Sequence, residues 1–221
     1  MGLIGSGMIG GAVAALAVDA GYQVVLSNSR RPETLSDLAA ELGPLCRPAT
    51  GAEAAEAGDL VVVSTPVKAY AGLPAAPFAG KIVMDTGNYY PERDGQIEEL
   101  DRGELTSSEL LARDLPGARV VKVFNNIFFK HLRNLARPAG AADRSALPIA
   151  GDDPAAKAAV TAFLDAIGYD AVDVGALADG WRYQPGTPAY GPPYGTFENE
   201  KGTPASADVV GAALAGAVRP A

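Results

Sequence analysis

The sequence predicts an α/β fold: a doubly wound, mainly parallel sheet with helices on both faces and a short irregular and helical C-terminal appendage. Three observations carry this expectation. Apolar runs of strand length recur along the chain and are continuous rather than alternating, as in strands buried on both faces. Helical patterns separate them, and strands alternating with helices make a parallel sheet. The first strand passes into the first helix through a glycine-rich turn, "GLIGSGMIGG".

Taken in order, strands are expected at Gly2–Gly5, Gln23–Ser27, Leu60–Ser64, Ile82–Asp85, Val120–Phe124, Leu147–Ala150 and Ala171–Val174. A helix over Ile9–Ala20 follows the glycine turn. Pro32–Leu42 begins with proline at a first helical position. Thr106-Ser107-Ser108-Glu109 has the spacing of a capping box and opens Glu109–Asp114. Asp153–Ile167 starts with Asp-Asp-Pro and stops at Gly168, and an Ala-rich helix over Ala205–Val218 ends the chain. Two segments break the rhythm. "TGNYYPERDGQIEEL" after the fourth of these strands reads as a polar loop. Asp179–Pro204 is rich in Pro, Gly and aromatics, with no helical or strand period; a loop of that length in a compact domain is functional or disordered, and its aromatics argue against disorder. The expected division is a domain over residues 1–178 and a tail over residues 179–221. No internal repeat is visible.

Composition narrows the function. The 221 residues suffice for one domain with a sizeable core, and 48% are hydrophobic. A formal net charge of -8 argues against a general nucleic-acid or membrane-surface role, although Arg30-Arg31 is a local basic patch. One cysteine, Cys46, and one histidine, His131, exclude an intrachain disulfide and a Cys/His metal cluster, so no metal is expected and a reducing cytoplasm fits best. No apolar run reaches transmembrane length. "MGLIGS" formally fits a myristoylation pattern, but Leu3 and Ile4 are needed as buried strand. The chain begins close to the glycine motif, which is consistent with an upstream residue or two lost to start-site choice.

Gly5-Ser6-Gly7-Met8-Ile9-Gly10 fits G-x-G-x-x-G in its diagnostic context, after a strand, opening a helix, with a second strand ending about 20 residues on. This is the dinucleotide-binding turn of a Rossmann-type fold. Gly5 permits the tight turn, Gly7 admits the pyrophosphate to the backbone, and Gly10 lets helix and strand pack closely. The pyrophosphate lies on the helix N-terminus. At the end of the second strand an NAD site places an acid on the ribose hydroxyl. This chain has no acid between Asp19 and Glu33 and offers Asn28, Ser29, Arg30 and Arg31 instead. A carboxylate repels a 2′-phosphate, whereas arginine forks and hydroxyls bind it, so the cofactor is read as NADP(H).

These residues, with Thr65-Pro66, Asp85-Thr86-Gly87-Asn88-Tyr89-Tyr90 and Val121-Lys122-Val123-Phe124-Asn125-Asn126, resemble the coenzyme F420-dependent NADP oxidoreductase family. Its mammalian relatives are the reductase domains of the STEAP metalloreductases. The resemblance spans roughly Gly2 to Val174. It implies hydride exchange between NADP(H) and a deazaflavin or flavin, with F420, FMN or FAD as candidate second substrate. Archaeal-type members carry a histidine where this chain reads Phe124-Asn125-Asn126; "KVFNN" is closer to the STEAP-type wording, and the tail from Asp179 differs from both groups.

Ligands of such folds bind at the carboxyl ends of the strands. Thr65-Pro66, Thr86–Asn88 and Asn125-Asn126 follow strands and are expected to line one cleft with the glycine turn. Asn88, Asn125 and Asn126 are candidate donors to the nicotinamide amide or to the acceptor ring, though asparagine after a strand is also a common turn residue. Lys122, a charge inside an apolar strand, is either ion-paired at a sheet edge or a cofactor ligand. His131 reads as a surface or partly buried histidine rather than a catalytic one, and Cys46 as a buried small residue. Trp181, Tyr183, Tyr190, Tyr194 and Phe197 can wall an acceptor pocket or a homodimer interface, and packing alone also explains any one of them. A homodimer with the tail crossing its interface near the nicotinamide is expected. Two other functions fit less well. One is reduction of a small C=O or C=N substrate with Tyr89, Tyr90 or Lys122 as proton donor. The other is NADPH sensing without turnover, which does not need polar residues at several strand ends.

Overall fold

The computed structural model describes residues 1–219. β1 (Gly2–Ile4) passes through the glycine turn into α1 (Met8–Asp19), and β2 (Val24–Ser27) returns parallel to β1. A 3-10 turn at Pro32–Leu35 and α2 (Ser36–Leu42) lead to β3 (Cys46–Pro48). α3 (Gly51–Ala57) connects to β4 (Leu60–Val63), which is followed by β5 (Ile82–Asp85). Three short helices come next: α4 (Pro91–Asp94), α5 (Glu98–Asp101) and α6 (Ser107–Asp114). β6 (Arg119–Lys122), α7 (Phe129–Asn134), β7 (Ala146–Gly151), α8 (Pro154–Ala166), β8 (Asp170–Gly175) and α9 (Ala207–Ala215) complete the order.

The eight strands form one sheet in the order β3-β2-β1-β4-β5-β6-β7-β8. Every neighbouring pair is parallel except β6 and β7. The order reverses between β1 and β4, which opens a crevice at their carboxyl ends. β4 shows why the apolar runs are unbroken. Val62 joins a core cluster with Val13 of α1 and Phe163 of α8, while Val61 and Val63 join the cluster on the other face with Ala54 of α3 and Leu111 of α6. α8 buries Ala156, Val160, Phe163 and Leu164, a helical spacing, and Asp153 caps it by accepting from the amides of Ala155 and Ala156 at 2.8 and 3.1 Å.

The structure departs from the sequence reading in several places. β3 and α3 were not expected. β3 is an edge strand of three residues with an exposed Arg47, so it carries little apolar signal. α3 does announce itself, through the capping box of Thr50 and Glu53. The polar loop after β5 contains α4 and α5. β7 runs antiparallel to β6, an orientation that a continuous apolar run does not encode. α6 begins at Ser107, with Thr106 and Glu109 reciprocally bonded as the capping box requires. Lys122 is not at an edge, because β6 lies between β5 and β7.

The tail packs on its own chain. 3-10 turns at Leu177–Tyr183 and Pro192–Tyr194 place Tyr183, Ala189 and Tyr194 in the larger core cluster, together with Ala205, Val210 and Leu214. The Tyr183 hydroxyl donates to the carbonyl of Lys122 at 2.9 Å and that of Tyr194 to the carbonyl of Ala146 at 2.8 Å. Among the described residues no helix is long and apolar enough to cross a membrane.

Candidate active site

Each glycine of the turn has its own steric reason. Gly5 has φ +96°, and a Cβ there meets the carbonyl oxygen of Ser64 at 2.3 Å; a Cβ at Gly10 meets the carbonyl oxygen of Gly5 at 2.1 Å. A Cβ at Gly7 meets nothing within 4 Å, so this glycine keeps the approach to the helix end open. Ser6 Oγ and the Gly5 amide both donate to the Ser27 carbonyl, at 2.7 and 3.0 Å, which pins the turn to β2. Gly7 is the N-cap of α1, which therefore has no side-chain cap, and its first turn carries no acid. The first-turn amides at Met8, Ile9 and Gly10, together with the helix dipole, are left for an anion.

At the end of β2, Asn28 shapes the loop. Its Oδ1 accepts from the Arg30 amide at 2.8 Å and its Nδ2 donates to Thr34 Oγ1 at 3.0 Å. The Asn28 side chain is thus spent on the backbone turn, whereas Ser29, Arg30 and Arg31 are exposed. Among the described residues the Arg31 side chain makes only a 3.5 Å surface contact with Glu33. These residues do not line the main cleft; they follow the carboxyl end of β2, the strand next to β1 and its glycine turn.

That cleft, about 490 Å³, lies at the carboxyl ends of β1, β4, β5 and β6. It brings together Gly7, Met8 and Ile9, Thr65-Pro66, Asn88, Asn125-Asn126 and, from the tail, Tyr190 and Phe197. The asparagines do not act as the free donors the sequence suggested. Asn125 Nδ2 donates to Asn88 Oδ1 at 3.0 Å and to the Tyr183 carbonyl at 2.8 Å, and Asn88 Nδ2 returns a bond to the Asn125 carbonyl at 2.7 Å. Asn126 Nδ2 is held by the Ala189 carbonyl at 2.9 Å. What is left without a partner is Oδ1 of Asn125, Oδ1 of Asn126 and the Thr65 hydroxyl, all buried. Such atoms cost about 1–3 kcal/mol each when unpaired, so they call for a ligand with N–H groups. Phe124, directly before the two asparagines, has φ +67°, a left-handed conformation that costs a bulky residue on the order of 1–3 kcal/mol and concentrates at functional sites.

A buried polar network fixes the loop of Thr86, Gly87 and Asn88. Lys122, fully buried, donates through Nζ to the Gly87 carbonyl at 2.9 Å and to the hydroxyls of Ser107 and Ser108 at 3.1 and 3.2 Å. Ser108 passes the contact on to Asp85 Oδ2 at 2.6 Å, and Asp85 Oδ1 accepts from the Tyr70 hydroxyl and the Gly87 amide at 2.7 and 2.8 Å. Burial pushes the Lys122 ammonium below its ordinary range, with the Asp85 charge opposing, and pushes Tyr70 well up. Lys122 is therefore a loop-holding cation, neither an edge ion pair nor a lining residue of the cleft.

His131 is buried, with Nε2 bonded to the Asn199 carbonyl at 2.8 Å, and lies outside the cleft. Cys46 is half-buried in β3. Tyr89 turns away to Asp101 at 2.7 Å. Of the tail aromatics, Tyr190 and Phe197 reach the cleft while Trp181, Tyr183 and Tyr194 pack. Phe197 is 65% exposed and stacks edge-on with Phe128 at 5.0 Å; Phe128 meets Phe129 at 4.7 Å. Sequence reasoning did not single out Phe128, Phe129 or Arg93 as cleft residues, and it did not pair Tyr90 with Tyr190, whose hydroxyls are 2.5 Å apart. "IFF" after the asparagines was the one local signal, an apolar run too short for an element.

The fold defines the class: a Rossmann-type α/β protein with a cleft at the carboxyl ends of its central strands. Residues 1–89 match the profile of NADP oxidoreductase, coenzyme F420-dependent. The rat metalloreductase STEAP3 is 30% identical over 180 residues, 80% of this chain and 34% of that protein. The chain spans roughly a third to two fifths of the length of the curated relatives it matches. Among solved structures, the Sinorhizobium meliloti hypothetical protein SMa0349 superposes with a TM-score of 0.71 at 27% identity, over 83% of this chain and 89% of that one. A protein of Arthrobacter sp. FB24, named by inference an F420-dependent NADP reductase, superposes with a TM-score of 0.65 at 25% identity, over 80% and 85%.

Proposed function

We propose that the chain transfers a hydride between NADP(H) and a flat conjugated acceptor of the deazaflavin or flavin class. The observation that carries this reading is the single cleft lined by the open glycine turn, by Thr65, Asn125 and Asn126, each with an unpartnered buried oxygen, and by an aromatic wall. The residues fit the cofactor. The α1 N-terminus with Gly7 suits the pyrophosphate, and Ser29, Arg30 and Arg31 suit the 2′-phosphate. Oδ1 of Asn125 and of Asn126 suit the N–H groups of a carboxamide. When bound, the nicotinamide supplies the hydride. The chain's own part is to hold two rings in register, exclude water and match the polar edges of the acceptor. Phe128, Phe129 and Phe197 offer the apolar surface a flat ring lies against, the first two from the start of α7 and Phe197 from the tail of the same chain. The test is an acceptor panel. Purified protein with NADPH and F420, FMN or FAD is followed by loss of dihydronicotinamide absorbance. Oxidation with at least one of these, faster than with NADH, supports the reading; no oxidation above the protein-free rate with any of them overturns it.

A further inference from the structure

Tyr90 comes from the loop after β5 and Tyr190 from the tail, and both line the cleft beside Asn88. Their hydroxyl oxygens are 2.5 Å apart, and Asn88 Nδ2 reaches the Tyr190 oxygen at 3.5 Å. The proton count follows from chemistry alone. Two hydroxyls bring two protons, and the bond between them uses one. Tyr90 makes no other side-chain hydrogen bond among the described residues, and the further contact of Tyr190 is one in which its oxygen accepts. Whichever hydroxyl donates within the pair, one O–H remains uncommitted at the cleft. The guanidinium of Arg93 sits 5.0 Å from the centre of the Tyr90 ring, donates to the Asn88 carbonyl at 2.6 Å and is paired with Asp94 Oδ2 at 2.8 Å, so the cation that flanks the tyrosines is one half of an ion pair.

We propose that Tyr90 and Tyr190 form the proton-delivering end of the acceptor site, which thereby selects acceptors that need a proton together with the hydride. This rests on the reading of the cleft as a hydride-transfer site. As the acceptor takes up the hydride, its conjugated nitrogen or oxygen gains the displaced electron pair. The tyrosine pair gives that atom a proton: one phenolic O–H bond breaks, one N–H or O–H bond forms, and the resulting phenolate recovers its proton from solvent. In sum, NADPH, a proton and the acceptor become NADP⁺ and the dihydro-acceptor. Burial first, and the hydrogen bond shared with Tyr90 second, raise the Tyr190 phenol above its ordinary range, so it stays protonated at neutral pH. Arg93 is placed to stabilise the transient phenolate.

The proton count dictates the experiment. Each single Phe variant leaves one hydroxyl with a free proton, so the decisive protein is Tyr90→Phe/Tyr190→Phe. Its reduction of FMN and F420 by NADPH is compared with that of N-benzyl-3-acetylpyridinium, which accepts a hydride and no proton. The double variant is expected to lose about 100-fold with FMN or F420, to stay within about twofold of wild type with the pyridinium, and to lose far more than either single variant. A second arm needs no turnover: the Kd of oxidised FMN for the NADP⁺-saturated protein, read by flavin fluorescence, is expected to rise about fivefold in the double variant, the value of one hydrogen bond. Wild-type rates with FMN and F420, equal losses with all three acceptors, or an unchanged FMN Kd overturn the proposal. A wild-type protein inert toward every acceptor overturns the parent reading instead, and the FMN Kd still judges the pair.

Discussion

Lys122→Met is the sharpest perturbation the structure offers away from the cleft. The variant keeps the apolar stem and much of the volume, so the cavity contribution is small. It removes three ammonium hydrogen bonds, to the Gly87 carbonyl and to the hydroxyls of Ser107 and Ser108. It also strips the buried Asp85 carboxylate of the only cation acting on it through Ser108. Removing one partner of a buried charged arrangement costs about 3–5 kcal/mol. With a urea slope on the order of 2–3 kcal/mol per M for a domain of this size, the unfolding midpoint is expected to fall by about 1–2 M. Adding Asp85→Asn removes the stranded charge and is expected to restore at least half of that loss. Because Lys122 holds the Gly87 carbonyl, the native variant is also expected to bind NADPH more weakly, through displacement of Asn88. A midpoint within about 0.3 M of wild type, or a double variant less stable than Lys122→Met, would refute the assignment of Lys122 as the cation that holds this loop.

Three further outcomes are expected. NADPH is preferred to NADH by about 2 kcal/mol, roughly 30-fold, since charge-assisted phosphate contacts are discounted by the exposure of Arg30 and Arg31, and Arg30→Glu reverses much of the preference without moving the melting temperature; equal Kd values for the two nucleotides by titration calorimetry would dismiss the clamp. Asn125→Ala lowers turnover by more than tenfold while NADPH binding weakens less, and unchanged turnover marks Asn125 as a turn residue only. The third outcome concerns pH. Tyr70, Tyr169, Tyr183 and Tyr194 are held above their ordinary pKa by burial, so the unfolded chain loses these protons near pH 10 while the native chain keeps them. Their stabilisation is complete below pH 10 and is lost as pH rises above it, by up to about 1.4 kcal/mol per pH unit for each tyrosine. Lys122, shifted down, contributes the opposite slope below pH 10.5 but is one group against four. Urea midpoints between pH 9 and 11.5 check this, and a flat profile contradicts it.

How much was legible depended on the range of the signal. The glycine turn was readable because covalent geometry leaves no alternative: a Cβ at Gly5 or Gly10 collides with a carbonyl near 2 Å. The capping residues Thr106 and Asp153 were readable because their partners lie within three positions. The unbroken valines of β4 reported burial on both faces, but not the reversal of β7, since a continuous run is the same in either direction. Lys122 stood out as a charge in an apolar strand, yet its partners come from the β5 loop and the start of α6, which nothing local connects to it. The asparagines were identified as cleft residues, but their bonding was not, because Asn88 and Asn125 bond each other across 37 positions and the tail carbonyls of Tyr183 and Ala189 take amide protons of Asn125 and Asn126. Tyr90 and Tyr190 are 100 positions apart, and their pairing is a product of tertiary structure alone.

Direct hydride transfer within one cleft is the central claim, and isotope tracing tests it most directly. NADPH deuterated at C4 on the transferred face is incubated with the protein and a 5-deazariboflavin, whose C5 holds a transferred hydrogen without exchange. The account predicts that deuterium appears at C5 of the reduced product in proportion to the NADPH oxidised. NADPH oxidation with solvent hydrogen at C5, or no oxidation with either C4 stereoisomer, contradicts it.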